Sequence, residues 1–248
     1  MTKFINRLNN NTLAYNQLIG KDVGIVFLSG FNSDMQGKKA LYIEKWAKDN
    51  NHSFLRFDYS GHGQSSGTIN TTCFSDWYQD AEYLINKLTQ GKQILVGSSM
   101  GAWIMLMLAK RIPQKIAAIV GLASAPDFPK LLIWDKMTGI EKRKLVKNRK
   151  TSIKYEDGSK NDFSYKLIKD SFKNLTLSKS IPFNGPVYLY HGMADDAVPY
   201  DLSIRITKTF KGTKDIKLLL DKDAGHRLSE TDHLRNITNI IEEVKTKI

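Results

Sequence analysis

An α/β fold on a mostly parallel central sheet, with helices covering both faces, follows from three observations. Fully apolar runs of strand length recur along the chain. Helical stretches separate them, so neighbouring strands can run parallel and be buried on both faces. Polar and glycine-rich segments fall just after several of the apolar runs, where open α/β sheets place their ligands. The 248 residues fit one domain, residues 1–248, long enough to bury a full core.

The elements come in order. VGIVFL (23–28) is a strand and SGFNSDMQG a loop. KKALYIEKWAKD (38–49) sets Leu41, Trp46 and Ala47 among charges, as an amphipathic helix does. SFLRFD (53–58) is the next strand, with SGHGQSSG as a turn-rich loop. Ser75 or Asp76 caps a helix running to about residue 89, followed by strand QILVG (93–97). A helix from Ala102 to Arg111 stops near Pro113. IAAIVGL (116–122), VYLY (187–190) and IKLLL (216–220) are buried strands, and Tyr200–Phe210 and Ser229–Lys247 are helical. The segment at about 126–182 is too long for a simple crossover and is expected to form an inserted cap.

Composition narrows the classes. The balance of apolar and charged residues is that of a globular protein rather than a disordered one. The single cysteine, Cys73, forms no intrachain disulfide framework or zinc cluster and is read as a spectator. The first 20 residues lack a signal-peptide core, and no stretch approaches the apolar length of a membrane span. A reducing cytoplasm is the expected setting. The net charge is +12, and residues 130–185 supply most of it, with 14 Lys or Arg against 6 Asp or Glu. Such a patch can be solvated surface, or it can attract nucleic acid, an anionic membrane or an anionic substrate.

The chemistry starts at ILVGSSMGAW (94–103). Gly97-Ser98-Ser99-Met100-Gly101 fits G-x-S-x-G with Ser99 in the centre. A serine on a sharp strand-to-helix turn is held in a strained conformation with neighbouring backbones crowded around it, so glycine is needed two positions before and after. The helix that begins there favours negative charge beside the hydroxyl. Ser98 would be flanked by Val96 and Met100 and fails this requirement. A serine hydroxyl also needs a base, and the base an orienting acid. HGMADDAVP (191–199) follows VYLY and DAGHRLSE (223–230) follows IKLLL, which gives the chain order Ser99, an Asp, then His226. That is the order of α/β-hydrolases.

RFDYSGHGQSSG, VGSSMGAW and HGMADDAVP together resemble the α/β-hydrolases over nearly the whole chain. Within that family they are most similar to the subgroup that contains the mitochondrial acyl-protein thioesterase, which also cleaves acyl glucuronides. The resemblance implies an α/β-hydrolase fold and a serine hydrolase acting on a carboxylic ester or an acyl thioester. The family's acid lies four residues after the histidine of H-G-x-x-D-x-x-V-P, which is Asp195 here, with Asp196 one step off. Its base matches His226 of Gly225-His226. Its oxyanion donors match the backbone N–H groups of Phe31 and Met100, with Ser29 standing where many members carry histidine. Ser99 is then the nucleophile, and no metal or organic cofactor is implied.

Phe128 and Trp134 in the cap are the expected apolar pocket residues. His62, His52, His233 and His191 are assigned packing, solvent or turn roles, and Asp58 a role in bonding loop backbone. Trp103, Met105, Leu106 and Met107 form a core stripe. The expected partner is a small-molecule or acylated substrate, with an anionic group as one option, and not nucleic acid. C–C bond hydrolysis or acyl transfer would use the same triad. A non-catalytic protein that binds through the basic cap is the reading of a different class. Substrate identity and oligomeric state are open at this stage.

Overall fold

The structure is a computed structural model that describes residues 1–7, 11–154, 158 and 160–248. Glu156 and Asp157, two of the acids counted in the basic segment, lie outside the described residues.

The sheet strands are β1 (Lys3–Asn6), β2 (Thr12–Leu18), β3 (Asp22–Leu28), β4 (His52–Phe57), β5 (Gln93–Ser98), β6 (Ile116–Leu122), β10 (Val187–Gly192) and β12 (Ile216–Asp221). They pair in the order β1-β2-β4-β3-β5-β6-β10-β12. All pairs from β4 to β12 are parallel, and β2 runs antiparallel to both β1 and β4. The sequence reading missed β1 and β2. TLAYNQL buries Leu13, Ala14 and Asn16 but interleaves polar residues, and so lacks the continuous apolar run of the central strands. The central strands β5 and β10 are buried along their whole length, as expected of strands covered on both sides. IKLLL differs: β12 is an edge strand of alternating burial, with Leu219 exposed.

Helices α1 (Lys38–Asp49), α2 (Phe74–Leu88), α3 (Met100–Arg111), α6 (Asp201–Thr207) and α7 (Thr231–Lys245) accompany the sheet. The α2 cap falls on Cys73, not on Ser75 or Asp76, because Asp76 reaches back to accept the Cys73 N–H at 2.9 Å. The helix expected over Tyr200–Phe210 stops at Thr207. Phe210 instead begins β11 (Phe210–Gly212), which pairs with β9 (Ile181–Phe183). The α3 stripe Trp103, Met105, Leu106 and Met107 is core, and Trp103 stacks on Phe74 with ring centroids 3.4 Å apart. Truncating such a buried tryptophan costs about 3–5 kcal/mol.

Between β6 and β9 lie a π-helical turn (Pro129–Trp134), α4 (Gly139–Asn148), a hairpin of β7 (Lys150–Lys154) and β8 (Lys160–Ser164), and α5 (Tyr165–Ser171). Two carboxylates fix this segment, Asp127 by joining its two ends and Asp170 by tying it to α2. Asp127 accepts the N–H groups of Thr176 and Leu177 at 2.8 and 3.0 Å. Asp170 accepts the N–H and hydroxyl of Ser75, both at 2.8 Å. Register pairs Ser98 with Leu122 and Gly192 with Asp221, so the loops after β5, β6, β10 and β12 leave the same edge of the sheet.

Candidate active site

Ser99 sits between the end of β5 and the start of α3 at φ 55° and ψ −116°, a left-handed conformation that a residue with a side chain rarely adopts. The flanking positions explain the turn. A Cβ on Gly97 would lie 2.6 Å from the Gly101 carbonyl oxygen, and one on Gly101 would lie 2.0 Å from that of Leu28. Ser98, by contrast, is the last residue of β5 and is buried.

Two distant loops complete a hydrogen-bonded chain. His226, in the loop after β12, brings Nε2 to 3.1 Å from Ser99 Oγ and Nδ1 to 2.7 Å from Asp195 Oδ2. The carboxylate can only accept, so Nδ1–H donates to it and Nε2 is left to accept the serine hydroxyl. Asp195, in the loop after β10, has no exposed side-chain surface, whereas the His226 side chain is 27% exposed and reachable from the cavity. The other Asp195 oxygen accepts the N–H groups of Ala197 and Val198 at 3.0 and 2.7 Å. Burial pushes the carboxyl up, but hydrogen bonds from His191 and His226, the His226 charge and the Val198 N–H outweigh it and hold it at about 2. Asp196 is exposed at the cavity edge.

His191 does more than shape a turn. Its Nε2 faces two acceptors, Asp195 Oδ2 at 3.1 Å and the Val198 carbonyl at 3.0 Å, so Nε2 carries the proton. Nδ1 then accepts the Ser203 hydroxyl at 2.7 Å. His191 is fully buried at the end of β10 and holds the acid from behind.

The loop after β3 passes close to the serine: a Cβ on Gly30 would lie 3.3 Å from Ser99 Cβ. Among the described residues, neither the N–H of Phe31 nor that of Met100 has an acceptor. His62 shapes this loop, as Nε2 accepts the Asn32 N–H at 3.3 Å while Nδ1–H points at the Ser60 carbonyl at 3.4 Å. Burial pulls the His62 pKa down to about 4, which keeps Nε2 free to accept. Asp58 accepts the N–H groups of Met35 and Gln64, the loop-bonding role expected of it. His52 is buried, stacked on Trp46.

Ser99 and His226 open onto a cavity of about 840 Å³, within the roughly 300–1,000 Å³ of small-molecule sites. Phe31, Phe128, Ile133, Ile153 and Phe163 are among its apolar lining residues, and Phe31 stacks on Phe163 at 5.0 Å. Phe128 lines the cavity. Trp134 is not among the residues lining the cavity: it packs edge-on against Phe172, with the Lys142 ammonium over its ring. Consecutive residues on a helical turn point in different directions, so Trp134 lies off the face that Ile133 presents. His233, assigned to the helix surface, lies against the cavity through the first turn of α7. The hairpin contribution of Ile153 and Phe163 was missed. Alternation at Thr151 and Ile153 was the available signal, in a strand otherwise dominated by lysine and serine. The charged lining balances, with Lys136, Lys154 and Arg227 against Glu141, Asp196 and Glu230.

A parallel sheet with a strained serine at one strand end, in a hydrogen-bonded chain with a histidine and an aspartate from two others, defines an α/β hydrolase. The chain belongs to the α/β-hydrolase family and is an enzyme of it; the model of the alpha/beta hydrolase fold matches residues 25–140. It is 36% identical to human mitochondrial palmitoyl-protein thioesterase ABHD10 over 99% of this chain and 80% of that protein. The solved structure of mouse alpha/beta hydrolase domain-containing protein 10 superposes with a TM-score of 0.92 at 31% identity, covering 100% of this chain and 99% of that one. A putative hydrolase from Agrobacterium vitis S4 gives a TM-score of 0.93 at 30% identity, covering 98% of each chain. The expected cytoplasmic setting is overturned, because the relatives matched over nearly the whole chain are named as mitochondrial. A lone cysteine speaks to redox chemistry and does not identify a compartment.

Proposed function

We propose that the protein hydrolyses an acyl thioester or carboxylic ester through Ser99, His226 and Asp195. The observation that carries this reading is the continuous chain Asp195 Oδ2, His226, Ser99 Oγ, with links of 2.7 and 3.1 Å. Ser99 Oγ attacks the acyl carbonyl carbon as its proton passes to His226 Nε2. Asp195 holds the imidazole in the required tautomer and stabilises the imidazolium, and its low pKa keeps it ionised throughout. The N–H groups of Phe31 and Met100, which have no other acceptor among the described residues, receive the oxyanion, each contributing about 3 kcal/mol. His226 returns its proton to the departing thiol or alcohol. It then takes one from a water that attacks the acyl-enzyme, and returns it to Ser99 Oγ as the acyl–oxygen bond breaks and the acid leaves.

The apolar wall of Phe31, Phe128, Ile133, Ile153 and Phe163 suits an acyl chain. Kinship with a palmitoyl-protein thioesterase supports a thioester as the bond cleaved. Labelling with a fluorophosphonate, followed by mass mapping, tests the proposal. The adduct is expected on Ser99, lost in Ser99→Ala and kept in Ser98→Ala. Labelling that survives Ser99→Ala removes the nucleophile from the reading.

A further inference from the structure

Helix α4 has one buried residue, Leu145. On the opposite side Ile140, Arg143, Lys144 and Lys147 stand at i, i+3, i+4 and i+7, which puts them on one face, and all four are exposed. Ile140 is 59% exposed, and Val146 at the border of the stripe is 41% exposed. Residues 139–154 hold seven Lys or Arg and a single acid, Glu141. That acid is occupied at the start of the helix, where it accepts the N–H and hydroxyl of Thr138, both at 2.8 Å. Lys142 lies over Trp134 and Arg149 over Tyr165. Arg143, Lys144 and Lys147 make no ion pair among the described residues.

Neither the catalytic chain nor the cavity uses this stripe, although α4 borders the cavity through Glu141. Three exposed cations around exposed aliphatic side chains match one surface in both chemistries. Anionic lipid headgroups attract the cations, and the acyl region just beneath accepts the isoleucine and valine. A phosphodiester backbone would satisfy the charges but leave Ile140 and Val146 in water, and the stripe has no aromatic ring on which a base could stack. We infer that the outer face of α4 docks the protein on an anionic phospholipid bilayer, with the cavity rim at the lipid surface. The contact is peripheral, since no helix among the described residues is long and apolar enough to cross a membrane.

Co-sedimentation with vesicles tests this, using the full chain as Ser99→Ala so that binding is read without turnover and apart from the proposed chemistry. Vesicles of phosphatidylcholine with a minority of phosphatidylglycerol should retain the protein at low salt, and pure phosphatidylcholine should not. Each cation near such a surface adds roughly fivefold to partitioning, so Arg143→Gln/Lys144→Gln/Lys147→Gln should weaken it about a hundredfold. Ile140→Ser/Val146→Ser should remove the binding that persists when added salt screens the charges. In the otherwise wild-type chain, both sets should leave turnover of a soluble short-chain ester unchanged, which reports an intact fold. Equal retention on both kinds of vesicle, no retention on either, or a triple variant that binds like its parent overturns the inference. Retention on single-stranded nucleic acid without retention on vesicles also overturns it, and assigns the face to that partner.

Discussion

His191 donates Nε2–H to Asp195 Oδ2 at 3.1 Å, the same oxygen that takes Nδ1–H of His226 at 2.7 Å. One buried carboxylate oxygen therefore serves two histidines, one that reaches the serine and one that does not. Replacing His191 with Phe strands the Ser203 hydroxyl and removes a donor from the acid. The expected result is a loss of about 2–3 kcal/mol in urea unfolding and about a tenfold fall in kcat. His191→Gln should recover most of the rate, because its side-chain amide can donate toward the same oxygen.

The neighbouring acids separate cleanly. Asp195 is fully enclosed with four donors, whereas Asp196 is exposed. Asp195→Asn should lower kcat by roughly 10⁴, the cost of the wrong imidazole tautomer, and Asp196→Asn should change it only a few-fold. Steady-state kinetics on one activated ester checks both. If the two losses came out reversed, Asp196 would be the orienting acid.

The elbow makes a steric prediction. A methyl at Gly101 would overlap the Leu28 carbonyl oxygen at 2.0 Å, in a region with no room to yield. Gly101→Ala should cost more than about 3 kcal/mol or prevent soluble expression, as overpacking against backbone does. Gly139→Ala, where the nearest contact would be the Arg143 guanidinium at 3.6 Å, should be neutral or slightly stabilising. Thermal melting of both variants is the measurement.

His62 links the loop after β3 to pH. Its pKa is pulled from 6.5 to about 4 by burial, so between those values the unfolded chain binds a proton that the folded chain does not. Stability should therefore fall as pH drops from about 6.5 toward 4, by up to about 3 kcal/mol from this residue alone. His62→Gln removes the titration and should flatten the decline, seen by urea unfolding at several pH values. Parallel declines in the two proteins would show that other groups dominate.

Much of the site was legible in the sequence because its constraints are local. An elbow needs small residues two positions to each side of the serine, and a strand end needs its loop immediately after it, so Ser99, His226 and an aspartate between them could be named from short windows, while the choice of Asp195 over Asp196 came from the family resemblance. The same held for the central strands, whose continuous apolar runs report burial on both faces. Elements with weaker local signals were missed: β1, β2, the β7–β8 hairpin and the early end of α6 at Thr207. β2 and the end of α6 depend on distant strands, β4 and β9, whereas β1 and the β7–β8 hairpin pair locally through strands too rich in lysine and polar residues to show a clear apolar alternation.

The sequence by itself determined the sheet that carries the serine and the order in which its partners follow. Tertiary structure alone decided what surrounds them. Phe31 from one loop and Phe163 from the β7–β8 hairpin meet at 5.0 Å, while Trp134, one residue beyond the cavity-lining Ile133, turns away to Phe172. A local pattern records the steric demands of a turn, but the lining of a cavity is set by packing between segments far apart in the chain, and no single window contains both sides of such a contact.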